Sequence, residues 1–251
     1  EDRDRVKQDG ALLAACAQAP RFAELKLCFY RSELLPQLQS QFAAVTWLLP
    51  GGGAVVTYRG TDLTITGWKE DFNMSFQPQV PAQEKALWYL EAFARVHRGP
   101  IRLAGHSKGG NLAVYAAAKA QPELQERILS VHNHDGPGFH SSMLRDPGYR
   151  AILPRVRTFV PQSSVVGMLL EHEEPYTVVK SRQVSLLQHD PYSWEVLGGD
   201  FIRVEEVDEN SRHLDATIKT WLAQTSIQER SEFVDAVFEL LSLGEVDDLR
   251  S

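Results

Sequence analysis

The chain has 251 residues, 43% of them hydrophobic and 24% charged, and its 26 Lys and Arg against 33 Asp and Glu leave a formal net charge of −7. These proportions describe a globular protein rather than a disordered or collagen-like one, and an acidic excess argues against a nucleic-acid backbone as partner, which requires a basic footprint. No apolar run approaches the ~20 residues that span a bilayer. The start, Glu1-Asp2-Arg3-Asp4-Arg5, is charged and does not read as a secretory signal. The two cysteines, Cys16 and Cys28, form no metal spacing and read as thiols in or near helical core. Such sparse usage fits a reducing compartment, so a cytoplasmic location is expected.

Taken in chain order, residues 1–40 read mainly as a helical N-terminal segment, with Leu12, Leu13, Cys16, Phe22, Leu25 and Leu27 as its apolar positions and breaks at Gly10 and Pro20. Two β-branched runs follow, Phe42–Leu49 and Ala54–Tyr58, separated by Pro50-Gly51-Gly52-Gly53. This is the pattern of a hairpin with a glycine turn; the glycines lack the Gly-Lys-Ser/Thr ending of a phosphate loop. Gln83–His97 carries a helical apolar stripe, stopped by Gly99-Pro100. Ile101–Gly105 is a short apolar strand, and Asn111–Ala120 an Ala-rich helix with so little polarity that it must be buried. Ile128–Asn133, Val156–Val160 and Tyr176–Lys180 are further strands; Val184–Leu187 reads as another or as irregular structure. Two amphipathic helices are expected over 211–245, one with Leu214, Ile218, Trp221 and Leu222, the next with Phe233, Val234, Val237, Phe238 and Leu241. Ser226 and Glu229 form a capping box before the second, and Gly244 can end it. Strand-helix alternation predicts an α/β fold in a single domain, with a mostly parallel central sheet and helices on both faces. Sites in such sheets form at the carboxyl ends of the strands.

The stretch that carries chemistry is Gly105-His106-Ser107-Lys108-Gly109, a Gly-x-Ser-x-Gly match between an apolar strand and a buried helix. A serine at such a corner is held in a strained backbone above the sheet, and the amide of Lys108, at the helix N-terminus, points where an oxyanion would form. Ser107 is therefore the candidate nucleophile. Serine needs a base and an orienting acid. Among the downstream histidines, His189, in Leu187-Gln188-His189-Asp190, follows the last apolar run and is the candidate base; His172 is the alternative, in a stretch, Glu171-His172-Glu173-Glu174, that reads more as a solvated acidic turn. Asp135, at the end of the strand after the nucleophile's, is the candidate acid, with Asp190 and Glu171 as alternatives. A second oxyanion donor is expected from Arg59-Gly60-Thr61, through the Thr61 amide and its hydroxyl. The His132-x-His134-Asp135 run lacks a metal-binding pattern, so no metal is expected. Lys108 reads as a helix-start lysine pointing aside, or as a group favouring an anionic acyl chain or head group.

Arg59-Gly60-Thr61, Trp68, Asp71 and Gly105-His106-Ser107-x-Gly-Gly together resemble the class 3 lipase group of α/β hydrolases. The chain more closely resembles a bacterial family of unassigned function, the Mbeg-like family, through Gly67–Phe76, Gly105–Tyr115, Asp135–Phe139, Pro161–Glu173 and Gln188–Pro191. The resemblance implies the α/β-hydrolase fold and a serine esterase or lipase-like activity without a cofactor, with Thr61 in the oxyanion hole. Class 3 lipases carry their acid in the segment resembling Gln162–Val166, where this chain has Ser163 and Ser164; Asp135-Gly136-Pro137 instead resembles the acid position of pancreatic-type lipases. The expected substrate is a small-molecule acyl ester, possibilities extending to a thioester or to acyl transfer. The reading from a different class is a non-catalytic hydrolase fold serving as an interaction module. Phe139–Pro154 and Val165–Leu170 are candidates for an acyl pocket or cap, or for core.

Overall fold

In the computed structural model the described residues are 3–61, 70, 71, 73, 74, 77, 79–207 and, further on, 217, 220, 224–226, 228–230, 232 and 236. Helix α1 (Arg3–Gln18) is followed by strands β1 (Lys26–Leu35), β2 (Ser40–Leu48) and β3 (Ala54–Tyr58). Then come α2 (Pro81–Val96), β4 (Ile101–His106), α3 (Lys108–Lys119), α4 (Pro122–Gln125), β5 (Ile128–His134), α5 (Ser141–Leu144), α6 (Pro147–Ile152), β6 (Val156–Pro161) and β7 (Tyr176–Val179). Short strands β8 (Val196–Leu197), β9 (Asp200–Phe201) and β10 (Arg203–Val204) follow. One eight-stranded sheet has the order β1-β2-β3-β4-β5-β6-β7-β10. The run from β3 to β7 is parallel, and β1, β2 and β10 add antiparallel strands at its two edges. This is the α/β-hydrolase fold expected from the sequence.

The sheet forms where apolar residues alternate. Val56, Leu103, Val131 and Val156 point to one face and are almost fully buried against α2, α3 and α6. Burying each such side chain contributes ~1.5–3 kcal/mol. In α2 the buried Ala82, Ala86, Tyr89, Leu90 and Phe93 fall at the helical repeat, and Gln83 Oε1 accepts from the Val80 amide at 3.0 Å to close the first turn. In α3 every residue from Lys108 to Ala118 is buried, which accounts for its lack of a polar face. The Gly51-Gly52 turn places both residues at φ 89°, the left-handed region that glycine enters without strain, and sets the β2–β3 hairpin.

Two expectations are corrected. Residues 1–40 are not mainly helical: the helix stops at Gln18, and Lys26–Leu35 is an edge strand paired antiparallel to β2 from Lys26↔Leu48 to Leu35↔Ser40. Most β1 side chains are exposed, so no burial alternation marks it, and its partner lies in the next strand rather than in its own turns. Cys28 thus sits on a strand rather than in a helix; it and Cys16 are free and half-buried. Of the two readings of Val184–Leu187, the structure has the irregular one: Ser185–His189 is a 3₁₀ turn. The helices expected over 211–245, with Gly244, lie outside the described residues as far as their apolar positions go. The capping box is present: Glu229 donates its amide to Ser226 Oγ at 3.2 Å and Ser226 its amide to Glu229 Oε2 at 2.7 Å.

Candidate active site

Ser107 occupies the corner between β4 and α3 with φ 57° and ψ −134°, a backbone conformation that costs a non-glycine residue of order 1–3 kcal/mol. Two glycines make that corner possible. A Cβ on Gly105 would sit 2.1 Å from the Gly109 carbonyl, and one on Gly109 would sit 2.2 Å from the Tyr58 carbonyl. The Ser107 amide donates to the His134 carbonyl at 2.9 Å, which fixes the corner against the end of β5.

Asp135 stands one residue beyond β5, fully buried and also at positive φ (53°). His189 Nδ1 is 2.7 Å from Asp135 Oδ2. Asp135 Oδ1 accepts from Ser164 Oγ at 2.5 Å and from the Gly167 amide at 3.2 Å. The segment that lacks a carboxylate therefore supplies one donor, and the glycine just after it another, to the carboxylate of the preceding strand. The alternatives fall elsewhere. Asp190 Oδ1 accepts from the Tyr192 amide at 3.0 Å, and the Glu171 backbone pairs with Phe139. His172 Nδ1 is 3.1 Å from Glu174 Oε1.

The loop that presents His189 is strapped from below. His106 Nε2 lies 2.7 Å from the His189 carbonyl; a carbonyl only accepts, so this nitrogen carries the proton. The two imidazole rings lie 4.5 Å apart. The Trp194 indole N–H donates to the Gln188 carbonyl at 2.8 Å. Burial, with the neighbouring His189, pushes His106 down to about 4.

Thr61 follows β3, and its hydroxyl donates to Asp71 Oδ2. That leaves the Thr61 amide, not its hydroxyl, as the candidate oxyanion donor. Gly60 lies where a Cβ would come within 2.7 Å of the His106 carbonyl, so this loop packs directly on the Ser107 corner. Burial raises Asp71 to about 6, against the lowering effects of Lys108 and the Thr61 hydrogen bond. The Lys108 side chain does turn aside, into the interior, where its charge is paired with protein groups. Its ammonium is 1% exposed, 2.9 Å from Glu70 Oε2, 2.9 Å from Gln41 Oε1 and 3.1 Å from the Gln41 carbonyl.

Among the described residues no group of three His, Cys, Asp or Glu is placed to hold a metal ion. His132 Nε2 instead pairs with Ser130 Oγ at 3.0 Å, and its ring stacks 6.2 Å from that of His134. Nor is any helix among the described residues long and apolar enough to cross a membrane.

The Mbeg1-like family model matches residues 16–239. The chain belongs to the Mbeg1-like family. A comparison with curated proteins found no match. Among solved structures, this Mbeg1-like chain is similar to M37 lipase, at 16% identity and a TM-score of 0.50, over 64% of this chain and 61% of that one. It thus spans less than two thirds of that lipase. The native Rhizomucor miehei lipase propeptide complex matches at 14% identity and a TM-score of 0.49, over 88% and 73%. A triacylglycerol lipase from Penicillium expansum matches at 12% and 0.45, over 63% and 71%. At these identities the likeness concerns the fold.

Sequence reasoning missed Ser164, His106 and the Lys108 side chain as parts of this Mbeg1-like site. Ser164 stood in the very segment where a carboxylate was looked for, and its replacement by a hydroxyl was the available signal. His106 and Lys108 flank Ser107 but find their partners 83 and 38 residues away, where no local pattern reaches. The Phe139–Pro154 stretch is core rather than pocket: Phe139, Met143, Tyr149 and Ile152 are buried, and Tyr149 Oη donates to Glu174 at 2.9 Å.

Proposed function

We propose that this protein is a serine hydrolase that cleaves carboxylic esters through an acyl-enzyme, with Ser107, His189 and Asp135 as its triad. The observation that carries the reading is the 2.7 Å pair between His189 Nδ1 and Asp135 Oδ2, set at the end of the strand next to the strained Ser107 corner. A proton on Nδ1, held by the carboxylate, makes Nε2 the acceptor of the neutral ring, which is the tautomer a general base needs. In the proposed cycle Ser107 Oγ attacks the acyl carbon while its proton passes to His189 Nε2. The tetrahedral oxyanion is met by the amides of Lys108 and Thr61, each such donor contributing ~3–4 kcal/mol. The carbon–oxygen bond to the leaving group then breaks, and the imidazolium returns the proton to that oxygen. Water repeats the sequence and releases the acid. Neither a metal nor a cofactor enters.

The test is pre-steady-state hydrolysis of p-nitrophenyl butyrate. The account expects one equivalent of nitrophenolate in a burst, or turnover that disappears in Ser107→Ala. Folded wild-type protein with no turnover on a series of short and long acyl esters and thioesters would move the fold to the interaction-module class. Release of the acyl group to an alcohol in preference to water would make it an acyltransferase.

A further inference from the structure

The Lys108 side chain is the feature that hydrolysis by the triad leaves unused. It is a long cation buried directly after the nucleophile, and burial of an ammonium is costly unless the charge is paired and its donors are met. Here they are met: Lys108 Nζ reaches Gln41 on β2 twice and Glu70 once. Glu70, itself fully buried, also accepts the Gln41 amide at 3.0 Å and the Ala82 amide at 2.9 Å, so it is the post that joins β2, the start of α2 and the lysine. A pair of this kind is weak evidence for stability, since apolar side chains of similar volume often serve as well. What it adds is position.

The position at stake is that of Thr61. Asp71 takes the Thr61 hydroxyl on Oδ2, while its other oxygen, Oδ1, is buried and has no hydrogen-bond donor among the described residues. Lys108 Nζ lies 3.7 Å from it. The chain Lys108–Asp71–Thr61 therefore runs from the residue whose amide is one proposed oxyanion donor to the residue whose amide is the other. Resting on the proposed esterase reading, we infer that Lys108 is a positioning residue that sets the distance between the two halves of the oxyanion hole: its amide forms one half, and its ammonium, through Asp71, holds Thr61 as the other. The ammonium touches neither substrate nor reacting atoms, and its effect falls on the transition state, where the oxyanion exists, rather than on ground-state binding.

The experiment measures kcat and KM for p-nitrophenyl butyrate in Lys108→Met combined with Glu70→Gln, so that Glu70 is not left as a buried carboxylate without its cation, in Asp71→Asn, and in all three together. The expected result is a fall in kcat of about 10- to 100-fold in the Lys108/Glu70 variant, with KM within about threefold. The same pair of changes should cost no more than about threefold further in the Asp71→Asn background, because both act along one line. Wild-type kcat in the folded Lys108/Glu70 variant, or losses that multiply in full across the cycle, overturns the inference. Should that variant not fold, Asp71→Asn decides alone: the inference requires a lower kcat at unchanged KM, and a wild-type kcat ends it. A wild-type protein without esterase turnover removes the reading of the site, and the inference with it; an active wild type with an indifferent Lys108 removes the inference only.

Discussion

Asp135 shows how much one side chain's surroundings decide. It is fully buried, and its two oxygens divide the work: Oδ2 meets His189, and Oδ1 accepts from Ser164 and Gly167. Asp135→Asn keeps the shape but presents an amide that can hold the imidazole in the wrong tautomer. We predict a loss in kcat of about 10³–10⁴-fold for nitrophenyl esters, whereas Glu171→Gln should stay within about threefold. Ser164→Ala removes one of the two donors to Oδ1 and should cost about tenfold in kcat, the equivalent of one hydrogen bond to a charged group. Wild-type turnover in Asp135→Asn would refute the assignment of the acid. At this scale the sequence was readable in placement: Ser107 stands at the strand-to-helix corner its motif implies, and Asp135 and His189, singled out from different strand ends, are paired. It was silent on Ser164, His106 and Lys108, whose roles depend on partners brought together only by folding.

The β4–α3 corner is the element on which the site hangs, and it is held by packing rather than by hydrogen bonds alone. Gly105 and Gly109 stand against each other and against β3 at distances no Cβ tolerates. We predict that Gly105→Ala destabilises the protein by ~3 kcal/mol or more, since the obstructing atoms are backbone and cannot rotate away; a urea midpoint unchanged from wild type would contradict the packing described. The central elements were legible because each presents one buried face: Val56, Leu103, Val131 and Val156 alternate, and the small residues of α3 permit close approach to the sheet. Strand β1 was misread as helix because its exposed side chains carry no such alternation. Val184–Leu187 stood open between strand and irregular structure; the turn at Ser185–His189 is held by contacts from Ser163, His106 and Trp194 to Gln188 and His189 rather than by a neighbouring strand.

At the scale of the whole molecule, buried histidines should govern the response to acid. Burial lowers His106 and His134 to about 4 from an ordinary 6.5, so between those values the unfolded chain binds protons that the folded one does not. Stability is then lost as the pH falls from 6.5 towards 4, by up to roughly 3 kcal/mol per histidine. Asp71 acts in the opposite sense: raised to about 6 by burial, it holds a proton that the unfolded chain releases above 3.8, so it favours the fold in acid and opposes it above pH 6. Two histidines outweigh one carboxylate, and the urea midpoint should fall between pH 7.5 and 5, with a shallower slope in His134→Phe. A midpoint that holds or rises on acidification would show that these imidazoles are not kept neutral. The central claim, that Ser107 is an activated nucleophile, is tested most directly by a fluorophosphonate probe read by intact-protein and peptide mass. The account predicts one phosphonyl group per chain on the peptide bearing Ser107 and none on Ser107→Ala; folded wild-type protein that takes up no probe, or a Ser107→Ala variant labelled as fast as wild type, would contradict it.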